Sequence, residues 1–265
     1  MTRVFALLGD PVGHSLSPAL HSAALSAAGL DGSYVALRCG ADMVAELMRG
    51  LADAGGGGNV TVPHKEVAFS ALDAASAEAR ATCACNTFWQ EEGALHGDNT
   101  DVQGFAAAKR QLLEGEGRVK RALVLGAGGA ARAAVAVLLA EGAEAIVAGR
   151  TRERALRLVG ELGAGARVGD PYADGPFDLV VNATPLGLHA ADPAPVELER
   201  VGRVSAVMDL TYAETPSRLL QDAARLGLSA SDGREMLVRQ AAAAFSIWWG
   251  LEAPLEEMRA ALRRG

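Results

Sequence analysis

The run Ala122-Leu123-Val124-Leu125-Gly126-Ala127-Gly128-Gly129-Ala130-Ala131-Arg132 constrains the fold more than any other part of the chain. Four apolar residues lead into closely spaced glycines and then into the alanine-rich stretch Ala130 to Ala140, so a buried strand turns sharply into a helix. Gly142 marks the end of that helix, and Ala145 to Ala148 supplies a second strand at the spacing of a strand-helix-strand unit. Such a unit belongs in a parallel sheet flanked by helices. Gly126 permits the tight turn, Gly128 lets phosphates approach the backbone, and Ala131 fills the third small position. The helix start adds unpaired N–H groups and a positive dipole end, so Gly126, Ala127, Gly128, Gly129 and Ala130 are candidate contacts for a dinucleotide pyrophosphate. A plain turn with incidental glycines is the competing reading, and the flanking spacing favours the cradle.

The end of the second strand bears on which dinucleotide. An NAD site places Asp or Glu there to accept from the ribose 2′-hydroxyl. This chain has Gly149-Arg150-Thr151-Arg152-Glu153-Arg154 instead. Three arginines in a first helical turn oppose the dipole at about 0.3–1 kcal/mol each unless an anion sits among them. A 2′-phosphate is such an anion, and NADP is the expected cofactor. The alternative is a solvated basic face partly neutralised by Glu153.

At 265 residues the chain has room for two domains, and its 50% hydrophobic content with 5% aromatics points to Ala/Leu/Val cores. Met1 to Gly9 reads as a strand rather than a signal peptide, and the longest apolar run, Ala133 to Ala140, falls far short of a membrane span. Cys39, Cys83 and Cys85 are too few for a disulfide framework, and Cys-x-Cys without neighbouring His or carboxylate is a poor zinc signature. A soluble, cytoplasmic, metal-free protein is expected, with monomer and homodimer both open. The net charge of −7 argues against nucleic-acid or membrane-surface partners, so an anionic ligand must meet local positive charge.

Strand-like and helix-like runs alternate from Arg3 to Trp89: Val4 to Leu8, Pro18 to Ala28, Tyr34 to Leu37, Met43 to Ala54 and Asn59 to Val62. Gly55 to Gly58 reads as a helix stop plus a turn. A second alternation runs from Arg121 through Val207, and the polar stretch Glu114 to Lys120 marks a domain boundary. Beyond Ser231 only helices are expected, Glu235 to Trp249 and Leu255 to Arg264. The expected architecture is α/β with two domains: residues 1–102, a Rossmann-like domain over residues 103–235, and helices over residues 236–265 packing back on the first.

The N-terminal half carries further runs: Gly9-Asp10-Pro11-Val12-Gly13-His14-Ser15-Leu16-Ser17-Pro18, Asn59-Val60-Thr61-Val62-Pro63-His64-Lys65-Glu66, Cys85-Asn86-Thr87 and Gly97-Asp98-Asn99-Thr100-Asp101. With the glycine turn, Asn182-Ala183-Thr184-Pro185-Leu186-Gly187 and Met236-Leu237-Val238-Arg239-Gln240, these resemble the shikimate dehydrogenase family in order and spacing over nearly the whole chain. The resemblance implies NADPH-dependent reduction of 3-dehydroshikimate to shikimate, in the pathway to aromatic amino acids. It makes the first domain substrate-binding and catalytic and the second NADP-binding. Lys65 and Asp101 become the catalytic pair, Thr61, Asn86 and Gln240 face the ring hydroxyls, and Ser15, Ser17 and Tyr212 hold the carboxylate. On the cofactor side it implies Arg150, Thr151 and Arg154 at the 2′-phosphate, with Thr184 and Gly233 completing the site.

Each assignment has a structural competitor. Ser15 and Ser17 lie two apart and can present both hydroxyls to one carboxylate, yet Ser17 before Pro18 also reads as a helix N-cap. Asn59, Asn86, Asp98 and Asn99 serve equally as turn or strand-end residues. His14 and His64 flank the proposed site and compete with Lys65 as proton carrier; His21, His96 and His189 read as surface or packing residues. The chain departs from the family pattern at Glu235, where the second Gly of Gly-x-Gly-Met-Leu is usual, at Gly149 for Asn, at Val102 for Gly, and at Cys83 and Cys85 for Gly and Val; the segment after Tyr212 is shortened. A paralogue acting on quinate or an amino analogue of shikimate, and a non-catalytic NADP-binding sensor, remain open from sequence.

Overall fold

A computed structural model describes residues 2–114 and 118–263. Met1 of the expected first strand, residues 115–117 of the expected boundary and Arg264 of the expected last helix lie outside the described residues. The chain forms two compact units, one running through Gly104 and resuming at Leu237, the other spanning Phe105–Met236.

The first unit contains β1 (Arg3–Gly9), α1 (Ser17–Ala27), β2 (Gly32–Arg38), α2 (Val44–Asp53), β3 (Gly57–Val60), α3 (Lys65–Ser70), β4 (Ala74–Ala75), α4 (Ala77–Thr82), β5 (Thr87–Glu91) and β6 (Ala94–Asp98). Its strands lie in the order β2-β1-β3-β5-β6-β4. The sheet is mixed: β1 runs parallel to β2 and β3, whereas β5 is antiparallel to both β3 and β6. Leu8, Met48, Val60, Ala68 and Phe88 pack on one another beneath α2 and α3.

The structure differs from several local expectations. Only Gly55, at φ +78°, makes the expected turn, while Gly57 and Gly58 are strand residues. A Cβ on Gly58 would collide with the Ala6 carbonyl oxygen and the Phe88 ring, so the glycine is there for close packing. The strand expected to reach Val62 stops at Val60, because Pro63 has no N–H to extend the ladder. Met43 closes a short 3-10 turn, Ala41–Met43, and the regular helix begins one residue later. The β5–β6 hairpin was not among the expected runs; Glu92 and Gly93 turn it with φ of 51° and 80°, as a two-residue hairpin loop requires.

Helix α5 (Asp101–Leu112) carries the chain into the second unit. There follow β7 (Arg121–Leu125), α6 (Gly129–Ala140), β8 (Glu144–Ala148), α7 (Arg152–Leu162), β9 (Ala166–Val168), β10 (Phe177–Asn182), β11 (Val204–Asp209), α8 (Arg218–Arg225) and β12 (Ser229–Ser231). The order β12-β11-β10-β7-β8-β9 is parallel throughout. This is the doubly wound order, and its reversal between β7 and β10 opens a crevice at the carboxyl ends of those strands. Leu123, Ile146, Val180, Val207 and Leu219 form the core. Arg132 in α6 is buried and pairs with Glu161 of α7 at 2.6 Å, tying the two helices together.

Helices α9 (Arg234–Trp249) and α10 (Leu255–Leu262) close the chain. From Leu237 onward they belong to the first unit, where Val238, Ala241, Phe245 and Met258 pack against Leu20 and Ala24 of α1. Among the described residues no helix is long and apolar enough to cross a membrane.

Candidate active site

In the first unit the chain leaves β3 at Val60, turns through Thr61 to His64, and starts α3 at Lys65. Lys65 Nζ pairs with Asp101 Oδ2 at the start of α5, with side chains 13% and 8% exposed. An acidic residue in a first helical turn also meets the positive dipole end. Asn86 Nδ2 donates to Asp101 Oδ1 at 2.9 Å and lies 3.4 Å from Gln240 Oε1 on α9. Four expected site residues, Lys65, Asn86, Asp101 and Gln240, thus converge.

Thr61 is half-buried; its N–H donates to the Leu8 carbonyl at 2.8 Å, and its own carbonyl accepts from His64 N–H at 2.9 Å. The hydroxyls of Ser15 and Ser17 lie 3.2 Å apart, so they do share one side. The N-cap reading of Ser17 is corrected. Leu16, already in a right-handed helical conformation, is the cap residue, Ser17 is the first helical residue, and it is Ser15 Oγ that accepts the Ser17 N–H at 3.2 Å. His64 is buried with Nε2 2.9 Å from the Cys39 carbonyl, and His14 is exposed. Burial pushes the Cys85 thiol up to about 12, which leaves it an unreactive packing group beside Asn86. Cys83 caps α4 at φ 49°, the left-handed conformation that glycine adopts freely. The chain therefore carries a side chain at a position whose backbone shape suits glycine.

The second unit offers a cradle that fits a dinucleotide. Gly126 has φ +110°, and a Cβ there would lie 2.8 Å from the Ala183 carbonyl oxygen. A Cβ on Gly128 would meet nothing within 4 Å, so open space stands over the turn. Gly128 caps α6 without a side-chain hydrogen bond, which leaves the donors of Gly129 and Ala130 at an uncapped helix start beside half-buried Ala127. At the end of β8, Arg150 and Arg154 are exposed, and neither forms an ion pair among the described residues. Thr151 caps α7 without a side-chain hydrogen bond to the helix. These features suit a pyrophosphate at the turn and a further phosphate among the arginines.

Thr184 and Gly233 have structural duties of their own. The Thr184 hydroxyl donates to Asn182 Oδ1 at 2.7 Å, and Gly233 is buried where a Cβ would strike the Leu210 carbonyl. Glu235 is half-buried in the first turn of α9, and Tyr212 is half-buried in the loop after β11. Sequence reasoning did not single out Tyr34, Thr87 or Thr100, whose hydroxyls reach toward Asn86 directly or through Asn59. Thr87 and Thr100 sit inside the quoted motifs, whereas Tyr34 carries no signal beyond its place in a strand.

Residues 7–88 match the family described as shikimate dehydrogenase substrate binding domain, residues 107–173 the shikimate / quinate 5-dehydrogenase family, and residues 233–263 the shikimate 5′-dehydrogenase C-terminal domain. The shikimate dehydrogenase (NADP(+)) of Halobacterium salinarum is 42% identical, over 98% of this chain and 98% of its own. Shikimate 5-dehydrogenase from Thermus thermophilus, solved with NADP(H) and shikimate, is 39% identical with a TM-score of 0.86, covering 100% of this chain and 99% of that one. Quinate dehydrogenase from Corynebacterium glutamicum, solved with NAD, is 26% identical with a TM-score of 0.88, covering 100% and 99%. With the doubly wound unit, the lysine–aspartate pair and full-length relatives at this identity, the chain belongs to the shikimate dehydrogenase family.

Proposed function

We propose that this chain catalyses the reversible NADPH-dependent reduction of 3-dehydroshikimate to shikimate, a step toward the aromatic amino acids. The meeting of Lys65, Asp101, Asn86 and Gln240 in one buried cluster carries the reading. When bound, NADPH would supply the hydride that reduces the ring carbonyl carbon. Gly126 to Ala130 would hold its pyrophosphate, Arg150, Thr151 and Arg154 its 2′-phosphate, and Thr184 and Gly233 would line its remaining length.

As the carbonyl oxygen gains negative charge it needs a proton, and the Lys65 ammonium donates one; in the reverse direction the neutral amine takes it back. Asp101 orients that ammonium and accepts from a substrate hydroxyl. Asn86, Thr61 and Gln240 fix the ring through its other hydroxyls, and Ser15, Ser17 and Tyr212 donate to the carboxylate. His64, with its Nε2 beside the Cys39 carbonyl, is the weaker candidate for proton carrier. The proposal extends to a cytoplasmic protein, monomeric or homodimeric, which the three free cysteines suit.

Lys65→Arg tests the assignment, because guanidinium keeps the charge but does not release its proton at any relevant pH. Turnover of shikimate with NADP is expected to fall by about 10² or more while NADP binding, followed by titration calorimetry, persists. Near-normal turnover in that variant would move the proton carrier elsewhere, with His64 next in line.

A further inference from the structure

Behind the Lys65–Asp101 pair lies a chain of buried hydrogen bonds whose direction is fixed at two points by backbone groups. Asn59 Nδ2 lies 3.0 Å from the Asn86 carbonyl oxygen, which can only accept. Asn59 Oδ1 therefore faces the Tyr34 hydroxyl, 2.7 Å away, and that hydroxyl must donate. Asn59 Nδ2 also donates to Thr87 Oγ1 at 2.9 Å, and the Thr87 hydroxyl donates to Asn86 Oδ1 at 2.9 Å, a shorter contact than the 3.1 Å to Thr100 Oγ1. The Thr100 backbone N–H, which can only donate, reaches the same Asn86 oxygen at 2.8 Å. Asn86 Nδ2 is thereby aimed at Asp101 Oδ1, and Asp101 Oδ2 holds Lys65 Nζ.

Every link from Tyr34 to Asp101 donates toward the carboxylate, so each bond polarises the next in the same sense. Tyr34, Asn59, Asn86 and Thr87 are all buried. Burial also pushes the Tyr34 phenol well above its usual range, which keeps its proton in place.

We propose that Tyr34 is a positioning residue for the reaction: through Asn59 and Thr87 its hydroxyl reinforces the Asn86 amide that orients Asp101 and, through it, Lys65. The inference rests on the reading of Lys65 and Asp101 as the catalytic pair. Its ring stacks on His21 at 4.3 Å, so Tyr34→Phe removes the donor and leaves the packing surface.

A kinetic double-mutant cycle tests it. Tyr34→Phe, Thr87→Val and Thr87→Ser are made alone and on Lys65→Met, with thermal midpoints recorded for each. Tyr34→Phe and Thr87→Val are expected to lower kcat for shikimate oxidation about fivefold to tenfold with KM for NADP unchanged, and Thr87→Ser to stay near wild type. On Lys65→Met the same two changes should alter the residual kcat by less than about twofold, since the relay then has no lysine to position. An unchanged kcat in folded Tyr34→Phe, or an equal loss in both backgrounds, overturns the proposal. If Tyr34→Phe does not fold, the contrast of Thr87→Val with Thr87→Ser decides. Full activity in Lys65→Met alone would instead remove the catalytic pair itself and the relay with it, an outcome visible in that single variant.

Discussion

Arg150 and Arg154 stand exposed without an ion pair among the described residues, in a unit where Arg121, Arg167 and Arg225 each find a carboxylate. Charge left unpaired at a helix N-terminus is costly unless an anion arrives, which is why NADP rather than NAD is the expected partner. Replacing both arginines by Ala should weaken NADP binding by about 1.5–3 kcal/mol for each charged hydrogen bond lost and change NAD binding little. Titration of both cofactors decides it, and equal losses for the two would contradict the 2′-phosphate assignment. These arginines were legible in the sequence because their type and position are themselves the signal. Tyr34 was not, because alternation in a strand tells which face a side chain takes and nothing of the hydrogen bond at its tip. Ser17 shows the same limit: its neighbourhood with Pro18 located the helix start to within a residue, but whether Ser15 or Ser17 accepts the free N–H depends on the conformation of Leu16 between them.

At the scale of elements, α1 buries His21 between Tyr34 and Trp248, with ring centroids at 4.3 and 5.1 Å. Burial lowers the His21 pKa from 6.5 to about 3. Between those values the unfolded chain binds a proton that the folded chain refuses, so the stability held above pH 6.5 drains away as pH falls toward 3. The slope from this one group reaches at most about 1.4 kcal/mol per pH unit. Urea midpoints at pH 7 and pH 5 should therefore converge in His21→Phe relative to the wild type; an identical pH dependence in both would show that other groups drive it. The sequence made the β7–α6–β8 unit readable because strand, glycine turn, helix and strand follow within one continuous run. It misread Gly57 and Gly58 as a turn, since the contacts that demand glycine there come from Ala6 and Phe88, distant in sequence. The β5–β6 hairpin escaped notice because Glu92 takes a left-handed φ of 51° that favours Asn, Asp or Gly.

For the whole molecule, the proposed function divides the labour of the reaction between the two units. One gathers Lys65, Asp101, Asn86 and Gln240 and also carries the serine pair; the other carries the open glycine turn and the exposed arginines. A chain of net charge −7 attracts two anionic ligands only through such local arrangements of donors and positive charge. Shikimate and quinate differ by one hydroxyl and the ring double bond, so a single altered contact shifts preference between them. The most direct measurement is the rate at which the purified protein forms reduced nicotinamide, followed by its near-ultraviolet absorbance, with shikimate and quinate each tested against NADP and NAD. Rapid reduction of NADP with shikimate, and much slower rates in the other three pairings, is the expected result; no turnover of shikimate with NADP, or a faster rate with quinate and NAD, would contradict it.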